Sequence, residues 1–358
     1  MFFVEEPVFQ TGESHLTTAI CPETNVRVVT PHLSPDVNRN RELNRLLTEF
    51  AVENGIRTPV AWFYTPMALE FFPNSITPSA IVYDCMDELS MFQGAPPQLQ
   101  TLESYLFRKA DLVFTGGMSL FEAKRHLHAN VHPFPSGVDL DHFFQARRYE
   151  GEFGEHCGMA RPRLGYAGVI DERLDIQLLE EVAGRRPEWQ IVMIGPTAKI
   201  APETLPRREN IHWLGMKIYS ELPKYFAGWD VGIMPFALND ATRFISPTKT
   251  PEYLAAGLPV VSTPIRDVVR PYGDLGLVGI GATASEFMDA VEKAMVVGMS
   301  MKWRQRADEF LKSSSWDSVW QRMDLLIRGV ALTDASQLAE RVEGASSSRA
   351  ASTETASV

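Results

Sequence analysis

At 358 residues the chain exceeds what one hydrophobic core usually serves, and its 45% hydrophobic and 22% charged content is that of a globular protein with two domains. A net charge of −11 argues against bulk binding to nucleic acid or to an anionic membrane, while leaving room for a local basic patch. Cys21, Cys85 and Cys157 are odd in number and form no Cys-x-x-Cys pair, which argues against a disulfide framework or zinc site and fits a reducing cytoplasm.

No apolar run approaches the roughly 20 residues of a membrane span. The opening Met1-Phe2-Phe3-Val4 lacks a basic segment and soon meets Glu5-Glu6-Pro7, so it reads as a strand and not as a signal peptide. Residues 2–6, 16–20 and 26–30 are extended in pattern. Residues 38–54 have helical spacing, with Leu43, Leu46, Leu47 and Phe50 on one face. Arg39, Arg41 and Arg45 lie largely on the other, a solvated surface or, as the alternative, a peripheral membrane contact.

Strands at 60–64, 80–84, 112–115 and 131–134 then alternate with helical segments at 67–72, 99–110 and 119–128. That alternation implies βαβ units and a mostly parallel sheet. Residues 145–160 mix charges and glycines without apolar period, as an inter-domain linker would. A second alternation places strands at 164–169, 191–195, 211–214, 231–236, 260–262 and 277–280. Its helices fall at 174–184, 222–229, 285–296, 303–311 and 316–327. From 333 the chain is Ala, Ser, Thr and Glu with few large apolar groups, and disorder is expected. The expected division is 1–145, a linker at 146–160, 161–315, a last helix at 316–332 and a disordered tail at 333–358.

The most informative stretch is 246–264. Thr250 can cap a helix whose first residue is Pro251, and Gly257 suits the left-handed residue that ends it. Free amides around Thr250 to Glu252, with Lys249 one residue outside, would make an anion site suited to a diphosphate. Glu252 can accept two hydrogen bonds from a vicinal diol such as a ribose. The simpler reading is that acidic residues favour first helical turns for dipole reasons alone.

The string Ser-Pro-Thr-Lys-Thr-Pro-Glu-Tyr-Leu-Ala-Ala-Gly-Leu-Pro-Val-Val at 246–261 resembles the donor-nucleotide motif of GT-B glycosyltransferases near glycosyltransferase family 4. Relatives often carry Glu-x7-Glu there; the first position is Phe244, so only Glu252 matches. Further strings support the resemblance: 103–115, Gly137-Val138-Asp139 with Phe143, 210–215 (Asn-Ile-His-Trp-Leu-Gly) and 229–236 (Trp-Asp-Val-Gly-Ile-Met-Pro-Phe). The resemblance covers nearly all of 1–330. It implies an α/β architecture of two doubly wound Rossmann-like domains facing a cleft, the first on the acceptor side and the second binding nucleotide sugar. The last helix would cross back to the first domain. The resemblance places a strand, a Gly-rich loop and a helix before the segment that 2–7 resembles, and the sequence departs from it by lacking that unit.

Ligands of open α/β sheets bind beyond the carboxyl ends of strands. For the second domain this points to Gly168 through Arg173, Gly195, Trp213 with Leu214, and Ser246, Thr248, Lys249, Thr250 and Glu252. The resemblance assigns the loop after Gly168 to the diphosphate, with Arg173 the available cation or else paired with Asp171 or Asp175. It brings the Trp213-Leu214 backbone to the base, unless Trp213 is core. Lys249 and Arg173 could together stabilise a leaving diphosphate without metal. In the first domain Asp84, then Asp87, are the candidates to orient a sugar hydroxyl or accept its proton, a loop cap being the alternative. Asp139-Leu140-Asp141 reads as a structural turn, and His126, His128 and His132 as surface groups. No GxGxxG, P-loop or Gly-x-Ser-x-Gly motif appears.

The expected function is a cytoplasmic glycosyltransferase of hexosyltransferase type, without cofactor or nucleic-acid partner. It would move sugar from a nucleoside diphosphate donor, UDP-linked, to a glycan or lipid-linked acceptor with retention of configuration, with peripheral contact at the inner membrane face left open. A non-catalytic nucleotide- or glycan-binding subunit of a polysaccharide assembly system and a sugar-nucleotide epimerase are the alternatives.

Overall fold

The structure is a computed structural model and describes residues 1–331. The tail from 333 lies outside the described residues. Two compact units divide the chain. Met1–Asp84, Gln98–Val113 and the described residues from Leu326 form the first; Cys85–Pro97 and Phe114–Leu325 form the second.

The first unit opens with β1 (Phe2–Val4), β2 (Val8–Phe9), β3 (His15–Ile20) and β4 (Arg27–Leu33). β4 pairs parallel with β1 and β2 and antiparallel with β3. Helix α1 (Arg39–Glu53) starts at Asn38, whose side chain accepts from the Arg41 amide, and it buries Leu43, Leu46, Leu47 and Ala51. Its basic face is largely neutralised: Arg39 pairs with Glu6, and Arg45 with both Glu42 and Glu49. Strands β5 (Val60–Phe63), β6 (Ala80–Cys85), β7 (Leu112–Thr115) and β8 (Val131–Pro133) make a second four-stranded sheet in that order, β8 and the end of β7 being counted with the second unit's residues. Helices α2 (Leu99–Lys109) and α3 (Met118–Lys124) lie between its last strands in sequence.

The second unit is built on six parallel strands: β9 (Arg163–Ala167), β10 (Gln190–Ile194), β11 (Ile211–Trp213), β12 (Val231–Met234), β13 (Val260–Ser262) and β14 (Val278–Ile280). Around them run α4 (Leu140–Phe144), α5 (Ile176–Arg185), α6 (Leu222–Ala227), α7 (Lys249–Ala255), α8 (Arg266–Val268), α9 (Ala284–Val297) and α10 (Met301–Leu311), and residues 316–331 are helical. Strand order is β11-β10-β9-β12-β13-β14. Chain order therefore reverses between β9 and β12, the kind of position outside which open parallel sheets bind ligands.

β9, β12 and β13 are buried along their whole length, as strands of a covered parallel sheet must be. Two glycines in them make room for aromatic rings. A Cβ on Gly165 would stand 1.8 Å from the Trp229 ring, and one on Gly232 2.6 Å from the Tyr253 ring. The segment 146–160, expected as a linker, lies inside this unit. Its polar residues have partners there: Glu152 bonds the buried Arg163 guanidinium at 2.8 Å, and the Tyr225 hydroxyl donates to Glu155 at 2.6 Å. The Trp229 indole donates to Nε2 of the fully buried His156 at 3.1 Å. Among the described residues no helix is long and apolar enough to cross a membrane.

Candidate active site

The loops after β9 and β10 turn on glycines in the left-handed half of backbone space, Gly168 at φ +155° and Gly195 at φ +143°. A Cβ on Gly195 would stand 1.9 Å from the Gly168 carbonyl oxygen. One on Gly168 would stand 2.2 Å from Cε and 2.4 Å from Nζ of Lys249. The glycines thus let the two loops touch and let the lysine lie across the first of them. Their amides are already used, Gly168 donating to Ile194 O at 2.8 Å and Gly195 to Gly215 O at 2.9 Å.

Helix α7 differs from expectation at its start and agrees at its end. Thr248, already helical in backbone, is the N-cap, and the helix begins at Lys249. Pro251 is tolerated in the first turn, where an N–H would have no intrahelical acceptor. Thr250 is therefore not the cap: it is fully buried, its hydroxyl 3.5 Å from Met234 Sδ. The Thr250 amide donates to Pro247 O and the Glu252 amide to Thr248 O. The Thr250 and Glu252 amides expected to face an anion are therefore already bonded within the protein. At the other end Gly257 has φ +81°, and the Gly257 and Leu258 amides return to Leu254 O and Tyr253 O, the paired bonds of a Schellman motif. The fully buried Tyr253 accepts a 2.8 Å bond from the Ala167 amide at its hydroxyl, which fixes α7 against the end of β9.

Lys249 is half-buried, with Nζ 5.3 Å from the centroid of the Tyr166 ring. It makes no salt bridge among the described residues. Burial pushes its ammonium below the ordinary range, opposed by the Glu252 carboxylate and aided by Arg173. Burial likewise raises half-buried Glu252, opposed by Lys249 and by a hydrogen bond from Thr248. Both groups gain from a ligand that carries the complementary charge or donors.

Arg173 bonds both oxygens of the buried Asp171, the shortest contact being 2.7 Å. Asp175 instead accepts from the Leu178 amide and caps α5. The Arg173 Nη1 end of the fork makes no bond among the described residues, so pairing with Asp171 orients the cation without consuming it. Its guanidinium lies 5.9 Å from the Phe92 ring. Asp87 is half-buried and pushed up to about 6 by burial, with Arg173 opposing. Asp84, at the end of β6 in the first unit, is 8% exposed and accepts from the Trp62 indole at 3.3 Å. Burial pushes it up to about 6 as well. The neighbouring Glu88 is committed to Lys124 at 2.7 Å.

Gly168, Gly195, Arg173, Lys249 and Glu252 are thus gathered at the strand ends of the second unit, with Asp87 within electrostatic reach of Arg173. The other predicted residues take different places. Ser246 is half-buried against Gly117, and Thr248 is exposed. The half-buried Trp213 donates its indole N–H to Pro206 O, and the Leu214 amide donates to Met193 O. Neither donor is open to a base. Sequence reasoning did not reach Tyr166, Tyr253 or Phe92; the aromatic ending of β9 and the Pro-Glu-Tyr of the motif were the available signals. Asp139 caps α4 through the His142 amide. Among the described residues no group of three or more His, Cys, Asp or Glu side chains could hold a metal ion.

Residues 161–296, which contain this cluster apart from Asp87, match the family model described as glycosyl transferases group 1. The doubly wound parallel sheet is that of the GT-B fold, and residues 161–296 carry the group 1 domain. Among individual proteins, the chain is 23% identical to a provisionally named teichuronic acid biosynthesis glycosyltransferase, TuaH, of Bacillus subtilis (strain 168), over 80% of this chain and 77% of the relative. Two solved structures share the fold. The α,α-trehalose 6-phosphate synthase of Burkholderia multivorans superposes with TM-score 0.63 at 15% identity, covering 91% of this chain and 92% of its own. A structure titled trehalose-6-phosphate from E. coli, bound with UDP-2-fluoro glucose, gives TM-score 0.63 at 14% identity and 92% of each chain.

Proposed function

We propose that this glycosyltransferase moves a hexosyl group from a nucleoside diphosphate sugar, UDP-linked, to a glycan or lipid-linked acceptor, with retention of configuration and without a metal. The observation that carries the reading is Lys249: a half-buried ammonium with no ion-pair partner among the described residues, lying across Gly168. Burying a cation without a counter-charge is costly, and an anionic ligand would remove that cost.

In this reading Lys249 and the free end of Arg173 take the diphosphate, and Glu252 takes the ribose diol. The bond between the anomeric carbon and the diphosphate oxygen breaks as the acceptor hydroxyl oxygen bonds to that carbon. The hydroxyl proton passes to a carboxylate, Asp84 first and Asp87 second. The two cations do for the departing charge what a bound divalent ion would do elsewhere. The name of the Bacillus subtilis relative favours a cell-surface polysaccharide acceptor, and the UDP-2-fluoro glucose bound in the E. coli structure favours a UDP-linked donor. The protein would work in the cytoplasm. Because Arg39 and Arg45 are neutralised, contact with the inner membrane face would depend on the acceptor more than on α1.

Titration calorimetry with UDP and GDP, followed by transfer assays with a panel of UDP-sugars, tests this. Binding of UDP that weakens in Lys249→Ala supports it. Absence of nucleotide binding at millimolar concentration, or full transfer by Lys249→Ala, overturns it.

A further inference from the structure

The first unit contains two sheet edges with no further strand beside them among the described residues. β1 pairs with β4 alone, and β5 is the end strand of the second sheet. Both edges line one cavity of about 690 Å³, floored by Leu47 and Phe50 of α1. They lie close together: the rings of Phe3 and of Tyr64, one residue past β5, have centroids 6.2 Å apart. The ladders show which backbone groups face this space. The Arg27 amide donates to Met1 O at 3.1 Å and the Glu5 amide to Val29 O at 3.0 Å. Alternate residues of a parallel strand bond to the same side, so the N–H and C=O of Phe2 and Val4 point away from β4. On β6, Ile81 gives its N–H to the Asp111 carboxylate at 2.7 Å and accepts from the Asp111 amide at 2.8 Å. By the same alternation the even-numbered residues of β6 face β5, and the far side of β5 is turned to the cavity.

Edge strands that stay in water are commonly blunted by a charge or a proline. β1 is Phe-Phe-Val and β5 is Val-Ala-Trp-Phe, with neither. Phe3, Val4 and Tyr64 are 43%, 41% and 43% exposed. We propose that the cavity takes up one further strand, an apolar segment of a partner polypeptide. It would hydrogen-bond to β1 on one side and to β5 on the other, joining the two sheets into one. The walls offer backbone donors and acceptors and the floor offers apolar side chains, which together match an extended peptide. A lipid or small apolar molecule would leave those N–H and C=O groups unpaired. Residues 332–358 have no two adjacent large apolar side chains, so the occupant is not the chain's own tail. Strand uptake lies in the first unit and does not depend on nucleotide binding in the second.

The test uses the full chain and a panel of synthetic peptides, each about six residues of Val, Ile, Leu and Phe between terminal lysines. A peptide of this panel should bind and slow amide exchange at Phe2 and Val4. N-methylation of alternate backbone nitrogens in that peptide should weaken it about tenfold or more. Val4→Pro removes one cavity-facing N–H at an edge position where proline is tolerated, and Val4→Ala keeps it. With both variants folded by circular dichroism, the proline variant should bind about 3- to 10-fold more weakly than the alanine variant. Equal affinity for methylated and unmethylated peptide assigns the cavity to apolar ligands in general and overturns strand uptake. So does a panel without any binder at millimolar concentration, or sedimentation showing a dimer in which a second copy already protects the two amides.

Discussion

Replacing Lys249 by alanine takes away an ammonium that forms no ion pair among the described residues, so its effect should fall on the reaction. We expect kcat/KM to drop about 10²–10³-fold, the range seen when a charge-stabilising donor is removed, with the unfolding midpoint unchanged or raised. Asp84 behaves in the opposite way. Its carboxyl is pushed up to about 6 by burial, against an ordinary value of about 3.9. The protonated form is favoured by the fold, so the stability this gives is complete below pH about 4 and is lost as pH rises through about 6. Asp84→Asn keeps an acceptor for the Trp62 indole and should stabilise the protein by about 2 kcal/mol at pH 7.5. The gain should vanish in melts at pH 4. If Asp84 or Asp87 accepts the acceptor proton, kcat/KM of the parent falls as pH is lowered through about 6. The corresponding Asn variant loses that limb of the profile.

At the scale of the element, two glycines on adjacent loops make a controlled comparison. A Cβ on Gly168 meets the flexible end of Lys249 and, at 3.1 Å, the Tyr166 hydroxyl, whereas one on Gly195 meets the Gly168 carbonyl at 1.9 Å. Gly168→Ala should therefore displace the lysine, losing transfer as Lys249→Ala does while costing about 1 kcal/mol of stability for its positive φ. Gly195→Ala should cost about 2–4 kcal/mol through backbone clash and strain. Urea melts beside transfer assays distinguish them, and equal destabilisation would show that the loops do not touch as described. Helix α7 shows how far local signals reach. Its Schellman end follows from Gly257 alone, because only glycine takes φ +81° cheaply. Its start does not, because Thr248 and Lys249 are drawn into helical backbone when Tyr253 docks its hydroxyl on the Ala167 amide, 86 positions earlier in sequence.

At the scale of the molecule, the proposed chemistry predicts transfer that survives saturating EDTA and yields a product whose anomeric configuration, read by NMR, matches that of the donor. A rate abolished by EDTA and restored by manganese or magnesium would assign the diphosphate to a metal and not to Lys249 with Arg173. The same GT-B architecture is found in sugar-phosphate synthases at 15% identity or less. Fold by itself names neither donor nor acceptor, which are decided by the side chains that line the site.

The order of the main strands and helices, the burial of α1 and α5, and the short helix within 246–257 were legible in the chain because each depends on neighbours within about one helical turn or one strand. What the tertiary structure decided were the partners. Arg163 and Trp229 draw the polar segment 146–160 into the second unit, Thr250 turns inward to Met234, and the amides expected to hold an anion are taken by nearby carbonyls. Hydrogen bonds of a closely packed interior are settled by whichever groups arrive together, and that pairing has no periodicity for a sequence to display.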